Sequence, residues 1–181
     1  MKLILASNSP RRKELLQEHN IEFEVIPSQV DEVVDMAMDV YQNVMHLATI
    51  KCEDVYSKNP NRIVLAADTI VVYNDEILGK PKDEEDAYRM LKLLSGNTHE
   101  VITGVCVIDN GIKKVDHVVS KVVFKEITDE DIYEYIKTKE PMDKAGSYAI
   151  QGIGSKFIEK YEGEYDNIVG LPMKKVLELL G

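Results

Sequence analysis

This 181-residue sequence predicts a mixed α/β fold in which a partly antiparallel sheet is flanked by helices. Three observations carry that expectation. Short apolar runs alternate with helical patterns through the first half of the chain, which calls for parallel crossovers. Residues 63–72 are apolar apart from Asp68 and Thr69, with no polar alternation, the pattern of a strand buried on both faces. Asn110-Gly111 lies between two long apolar runs, a strong hairpin signal that adds an antiparallel ribbon to the same sheet.

Leu3-Ile4-Leu5-Ala6 reads as a short buried strand, and Ser7-Asn8-Ser9-Pro10-Arg11-Arg12 then turns into a helix carrying Leu15 and Leu16. Ser9 suits the N-cap and Pro10 the first helical position, which leaves amides free at a positive helix end beside two guanidiniums. Arg11 and Arg12 can reach forward toward phosphate oxygens, although a capped surface helix with solvated arginines reads about equally well. Phe23-Glu24-Val25-Ile26 forms a second strand, followed by the acidic loop Pro27-Ser28-Gln29-Val30-Asp31-Glu32. Residues 38–56 read as a helix with Val44, Leu47, Ala48 and Val55 on one face. Lys51 falls on that face, where it either snorkels outward or points inward as a fixed positive charge.

Beyond the central strand, Asn74-Asp75 is a turn that returns Ile77-Leu78 as a short hairpin arm, and Gly79-Lys80-Pro81 places Lys80 on a stiffened loop. Residues 83–94 read as a helix with Ala87, Met90, Leu91 and Leu94 inward, ended at Ser95-Gly96. Long strands at 100–108 and 112–124 make the ribbon, and Thr128-Asp129-Glu130-Asp131 opens a helix that runs to about Lys137. Residues 143–152 mix small, flexible and hydrogen-bonding side chains. They read as a binding loop leading into a short strand or as a glycine-rich connector, and spacing does not choose between the two. Asn167-Ile168-Val169-Gly170-Leu171-Pro172 leads into a closing helix with Val176, Leu177 and Leu180.

Apolar residues make up 44% of the chain and charged residues 30%, an ordinary globular balance for one domain, and no repeat or linker divides it. The net charge of −10 disfavours nucleic-acid polymers and anionic membranes as partners but leaves room for a small anion in a locally basic pocket. After Met1-Lys2 the apolar run is too short for a signal-peptide core, and no stretch is long enough to span a bilayer, so the expected compartment is the cytoplasm. Cys52 and Cys106 lack a CxxC arrangement and read as reduced packing residues, not as a disulfide or zinc site.

The chemistry centres on Asp68. A carboxylate in a doubly buried strand is costly to ionise unless a metal ion, a Lys or Arg, or a catalytic proton transfer compensates it. Ala66 and Ala67 leave space beside it for a ligand. Glu32 matters if the fold brings it near Asp68, where paired carboxylates could hold a divalent ion through oxygen. The competing reading is a structural Asp that closes a turn or caps a helix; it is weakened because Val71 and Val72 continue the strand pattern.

Ala6-Ser7-Asn8-Ser9-Pro10-Arg11-Arg12, Ala67-Asp68-Thr69, Lys80-Pro81, Ser95-Gly96 with His99, Thr103-Gly104-Val105, Asp143-Lys144-Ala145-Gly146 with Tyr148, Ile150-Gln151-Gly152 and Val169-Gly170-Leu171-Pro172 together resemble the Maf family, in family order and over essentially the whole chain. The resemblance implies a cytoplasmic nucleoside triphosphate pyrophosphatase associated with septum-formation inhibition. It also implies two lobes around a cleft, like the inosine triphosphatases, and frequent homodimers. By resemblance Asp68 is the proton acceptor, and Ser7, Arg11, Arg12, Glu32, Lys51 and Lys80 line the site for phosphates and a divalent cation such as Mg, Mn or Co. Arg11, Thr69 and Gln151 are similar to the subgroup that cleaves dTTP and UTP, and the subgroup acting on 7-methyl-GTP differs there. Of the activities found in larger relatives with a methyltransferase-like extension, only the pyrophosphatase is expected to carry over.

The expected reaction is hydrolysis of a pyrimidine nucleoside triphosphate between its α and β phosphates, with Asp68 either the base or a metal ligand shared with Glu32. A nucleotide-sensing regulator without turnover would need the basic cradle but not the buried acid. A structural partner protein would show a broad exposed apolar stripe, and none is evident in the sequence.

Overall fold

The computed structural model describes residues 3–181; Met1 and Lys2, which open the segment read as too short for a signal peptide, lie outside the described residues. The chain forms two compact units: one takes the chain through Thr69 together with Thr103–Val118 and Gly170–Gly181, the other Ile70–Ile102 and Val119–Val169.

In the first unit, β1 (Leu3–Leu5) pairs in parallel with β2 (Phe23–Val25) and with β3 (Val64–Tyr73), setting Ile4 opposite Val64 and Leu5 opposite Leu65. Both connections are right for parallel strands because each carries a helix, α1 (Pro10–Glu18) and α2 (Val40–Lys58). Ser9 caps α1 and Pro10 is its first residue, as expected. Helix α2 begins two residues later and ends two residues later than the sequence pattern placed it. A capping box fixes its start: Asp39 accepts the Gln42 amide at 2.7 Å and the Gln42 side chain accepts the Asp39 amide at 3.1 Å. The apolar stripe of α2 covers one face of β1 and β3, where Ala48, Cys52 and Val55 meet Ile4, Ala6, Val64 and Ala66. Cys52 and Cys106 are both free thiols in this core.

The second unit holds β4 (Glu76–Leu78), which pairs antiparallel with β3 across Asn74 and Asp75, both with positive φ as a tight hairpin turn requires. Helix α3 (Glu84–Leu94), capped by Asp83, buries Ala87, Met90, Leu91 and Leu94. Helix α4 (Asp129–Lys137), capped by Thr128, buries Ile132, Tyr135 and Ile136. These side chains share one core with Phe124, Tyr148 and Phe157. Strands β5 (Thr98–Asp109) and β6 (Ile112–Phe124) are joined through Asn110 and Gly111, and β7 (Ile158–Glu162) pairs antiparallel with β6. The strand order is β2-β1-β3-β5-β6-β7 with β4 on β3, a mixed sheet.

In the chain's last third one reading is corrected and another, the closing helix, is borne out with an addition. Residues 143–152 do not run straight into a strand: 3₁₀ turns at Glu140–Asp143, Ala145–Ser147 and Ile153–Phe157 come first, and β7 starts only at Ile158. Gly146 and Ser147 both have positive φ, which breaks any regular element there. Before the closing helix α6 (Met173–Leu180) there is a further short helix, α5 (Tyr165–Val169), too brief to leave a periodic signature. In α6, Val176 is buried but Leu177 is 47% exposed. No helix among the described residues is long and apolar enough to cross a membrane.

Candidate active site

Two periodicities bring Lys51 and Asp68 together. Lys51 lies four residues after Leu47 and four before Val55, on the stripe of α2 that packs against the sheet. Asp68 continues the series Val64, Ala66 along the face of β3 that this stripe covers. The Lys51 ammonium donates to Asp68 Oδ1 at 2.7 Å, and both side chains are more than nine-tenths buried. Glu32 comes to the same nitrogen at 3.0 Å from the acidic loop, with 57% of its side chain exposed. The alternative of an outward-snorkelling Lys51 is therefore not the one adopted. The structural account of Asp68 as a cap or turn residue also fails, since it lies inside β3 and its partner is an ammonium group.

One residue on, Thr69 points to the opposite face of β3, and there it meets α1. Arg12 donates from Nη2 to Thr69 Oγ1 at 3.1 Å, from Nη1 to Ser7 Oγ at 3.2 Å and from Nε to the Gly170 carbonyl at 2.8 Å. Thr69 and Thr103 hydroxyls lie 2.9 Å apart. Gly170 has φ +130°, a conformation open to glycine and little else, which is how its carbonyl is presented to Arg12. Burial lowers the pKa of Arg12 and the charge of Asp68 raises it, with lesser effects from Arg11 and Glu32. A guanidinium nevertheless stays charged in such a setting. It has five N–H bonds and these contacts use three, which leaves two without a partner among the described residues. Ser7 Oγ also accepts the Ser9 amide at 3.2 Å, tying the strand end to the helix start. Arg11, half-buried beside it, donates to no side chain or carbonyl among the described residues, so its whole fork is open.

The structure thus gathers Ser7, Arg11, Arg12, Glu32, Lys51, Asp68 and Thr69 within the first unit. Lys80 and Gln151 belong to the second unit, and both are exposed. Within that unit the loop of Lys80 is linked to the stretch before Gln151 by the Gly146 amide, which donates to the Gly79 carbonyl at 3.1 Å. Tyr148 is buried against His99, ring nitrogen Nε2 to hydroxyl at 2.7 Å, with Phe124 edge-on to both rings. Burial depresses His99 to about 3 and pushes the Tyr148 hydroxyl up, so this pair is neutral at ordinary pH.

Sequence reasoning did not assign Thr103 or the Gly170 carbonyl to this network; their only signal was membership in the motif blocks, since neither residue type stands out by charge or spacing. Asp68 and Glu32 converge on one cationic atom from two sides, which shows that their oxygens can face a common cation. Among the described residues no group of three or more His, Cys, Asp and Glu side chains comes together as a metal cage. Two carboxylates with vacant lone pairs match a hard ion of the magnesium type, which fills its remaining positions with water and phosphate oxygens.

A family model described as Maf-like protein matches residues 2–181. A protein of Alkaliphilus metalliredigens named dTTP/UTP pyrophosphatase is 52% identical over 182 aligned positions, covering 99% of this chain and 94% of the relative. One of Caldicellulosiruptor bescii with the same name is 49% identical, covering 97% and 91%. One of Bdellovibrio bacteriovorus, again so named, is 47% identical, covering 98% and 96%.

Proposed function

The chain belongs to the Maf-like family, and from that premise we propose that it is a nucleoside triphosphate pyrophosphatase that hydrolyses dTTP and UTP to the monophosphate and pyrophosphate. The observation that carries the reading is the buried Asp68 held by Lys51, with Glu32 on the exposed side of the same ammonium and the Arg12 network on the next residue of the strand. Relatives named for this activity match nearly the whole chain at about half identity.

Hydrolysis of the α–β anhydride needs three things: a base for water, positive charge for the leaving pyrophosphate, and a hold on the base. In this reading Asp68 takes the proton of the attacking water as the new P–O bond forms, and the anhydride bond breaks with its electron pair leaving on pyrophosphate. Lys51, displaced from or shared with Asp68, joins Arg11, Arg12 and Lys80 in offsetting the triphosphate charge, and Ser7 and the first amides of α1 add fixed donors. Glu32, with Asp68 where that carboxylate does not act as the base, would hold a divalent cation, Mg, Mn or Co, which would supply charge neutralisation to the phosphate oxygens. Thr69, Arg11 and Gln151 match the two carbonyls and ring N–H of uracil or thymine, and cytosine leaves one of these partners unpaired. The reading assigns the enzyme to the cytoplasm, with free nucleotides and not nucleic-acid polymers as partners, in nucleotide-pool cleaning.

A screen of purified protein against nucleoside triphosphates with pyrophosphate detection tests it. dTTP and UTP are expected to be cleaved well above dCTP, ATP and GTP, with activity lost in excess chelator and restored by magnesium, manganese or cobalt. Preference for GTP or 7-methyl-GTP overturns the base assignment. Nucleotide binding without pyrophosphate release overturns the enzymatic one in favour of a sensor.

A further inference from the structure

Gln151 is exposed and lies in irregular chain, yet the backbone around it is fixed from both sides. It sits third in a turn closed by the Gly152 amide, which donates to the Ala149 carbonyl at 3.2 Å. Upstream, Tyr148 is anchored by His99. Downstream, everything converges on one carboxylate, that of Glu140. Its Oε1 accepts the Ile153 amide and its Oε2 the Gly154 amide, each at 3.0 Å, and Oε2 also accepts the Tyr135 hydroxyl from α4. The backbone of Gly152 lies so close that a Cβ there would run into Glu140 Oε1. Partial burial pushes the Glu140 carboxyl up, but the three donors outweigh it and hold the group below the usual range, so the clasp is ionised at ordinary pH.

We propose that Glu140 is a positioning residue for base selection: by clasping the backbone of Gly152, Ile153 and Gly154, it sets the turn that presents Gln151 to a pyrimidine base. The inference rests on the reading of Gln151 as a base-contacting side chain. Two charge-assisted bonds from the backbone to an acceptor that the Tyr135 hydroxyl itself holds in place define the turn more tightly than neutral contacts could. A side chain that must meet fixed donors and acceptors on a ring tolerates little displacement, so loosening the turn costs the preferred base more than a base already mismatched. An amide in place of the carboxylate offers a single acceptor oxygen to three donors and turns its own N–H bonds either toward the Ile153 amide or toward the Gly154 amide and the Tyr135 hydroxyl.

The test compares kcat/KM for UTP and CTP, read by pyrophosphate release, in wild type, Glu140→Gln, Gly152→Ala, Gln151→Ala and the Glu140→Gln/Gln151→Ala double variant. The UTP to CTP ratio is expected to fall about tenfold in Glu140→Gln, chiefly through a raised KM for UTP, and to fall no further in the double variant. Gly152→Ala should do the same by displacing the carboxylate without altering it, and it carries the test if Glu140→Gln does not fold. An equal loss on both nucleotides means a structural brace only and overturns the inference. So does an unchanged ratio in the folded variants while Gln151→Ala lowers it. If Gln151→Ala leaves the ratio at the wild-type value, the underlying reading of Gln151 falls, and the inference with it.

Discussion

Lys51 with Asp68 and His99 with Tyr148 are both buried polar pairs at the edge of an apolar core, and they meet the cost of burial in opposite ways. The first is an ion pair at 2.7 Å whose third member, Glu32, reaches toward solvent. The second is a 2.7 Å contact between neutral groups, because burial has depressed His99 to about 3, and it has no exposed member. A charged pair open on one side can exchange its cation or proton with an incoming substrate. A neutral pair sealed in aromatic rings can only hold the chain in place. The two pairs are thus separated by electrostatic setting, although Asp68, His99 and Tyr148 all come from the motif blocks of the sequence.

Perturbing the charged pair should have the larger effect. Lys51→Met leaves a buried carboxylate facing Glu32 without its cation, which should destabilise the fold by about 3–5 kcal/mol in urea unfolding and remove turnover. Unchanged stability would mean that Asp68 finds water or another partner and that burial does not constrain it.

The neutral pair should show itself in pH dependence, not in catalysis. With a folded pKa of about 3 against 6.5 for the free group, His99 binds a proton in the unfolded state first as the pH falls. Its contribution is fully present above 6.5 and is lost on acidification at about 1.4 kcal/mol per pH unit until protonation in the folded state begins. His99→Gln should remove that slope from the stability difference between pH 6.5 and 4 while dropping stability at neutral pH by about 1–3 kcal/mol, through the lost hydrogen bond with the buried Tyr148 hydroxyl. Equal slopes in the two proteins would contradict the neutral assignment. The smallest structural effect belongs to Glu32→Gln, at the exposed rim. Its unfolding should hardly shift, yet the magnesium concentration needed for half-maximal rate should rise, and an unaltered magnesium titration would remove Glu32 from the metal site.

Much of the charged pair could be read from the chain because it rests on local periodicity. The branched run of β3 marked Asp68 as buried, and the stripe of α2 put Lys51 on the covered face. The two tight turns at Asn74-Asp75 and Asn110-Gly111 were equally plain. What was not legible depends on contacts between distant segments. His99 and Tyr148 are 49 residues apart, and Gly170 is 158 residues from Arg12. Glu140 is not singled out by the sequence, since nothing in its spacing announces that Tyr135, Ile153 and Gly154 all donate to it. The sequence also could not say that Arg12 would be tied to three internal acceptors while its neighbour Arg11 keeps its donors open. Adjacent residues on a first helical turn differ in direction by about 100°, and which one faces the strand depends on how α1 is docked.

The central claim is that the buried carboxylate of β3 performs the chemistry, and pyrophosphate release from UTP by Asp68→Asn measures it most directly. The amide keeps the shape of the side chain and Lys51 keeps Glu32, so the variant should fold. In magnesium, at matched folded concentration, release is expected to fall by about 10³-fold, the scale of a lost general base. Nucleotide binding should survive, because a negative charge near the phosphates has been removed. Release at close to the wild-type rate from correctly folded Asp68→Asn would contradict the account.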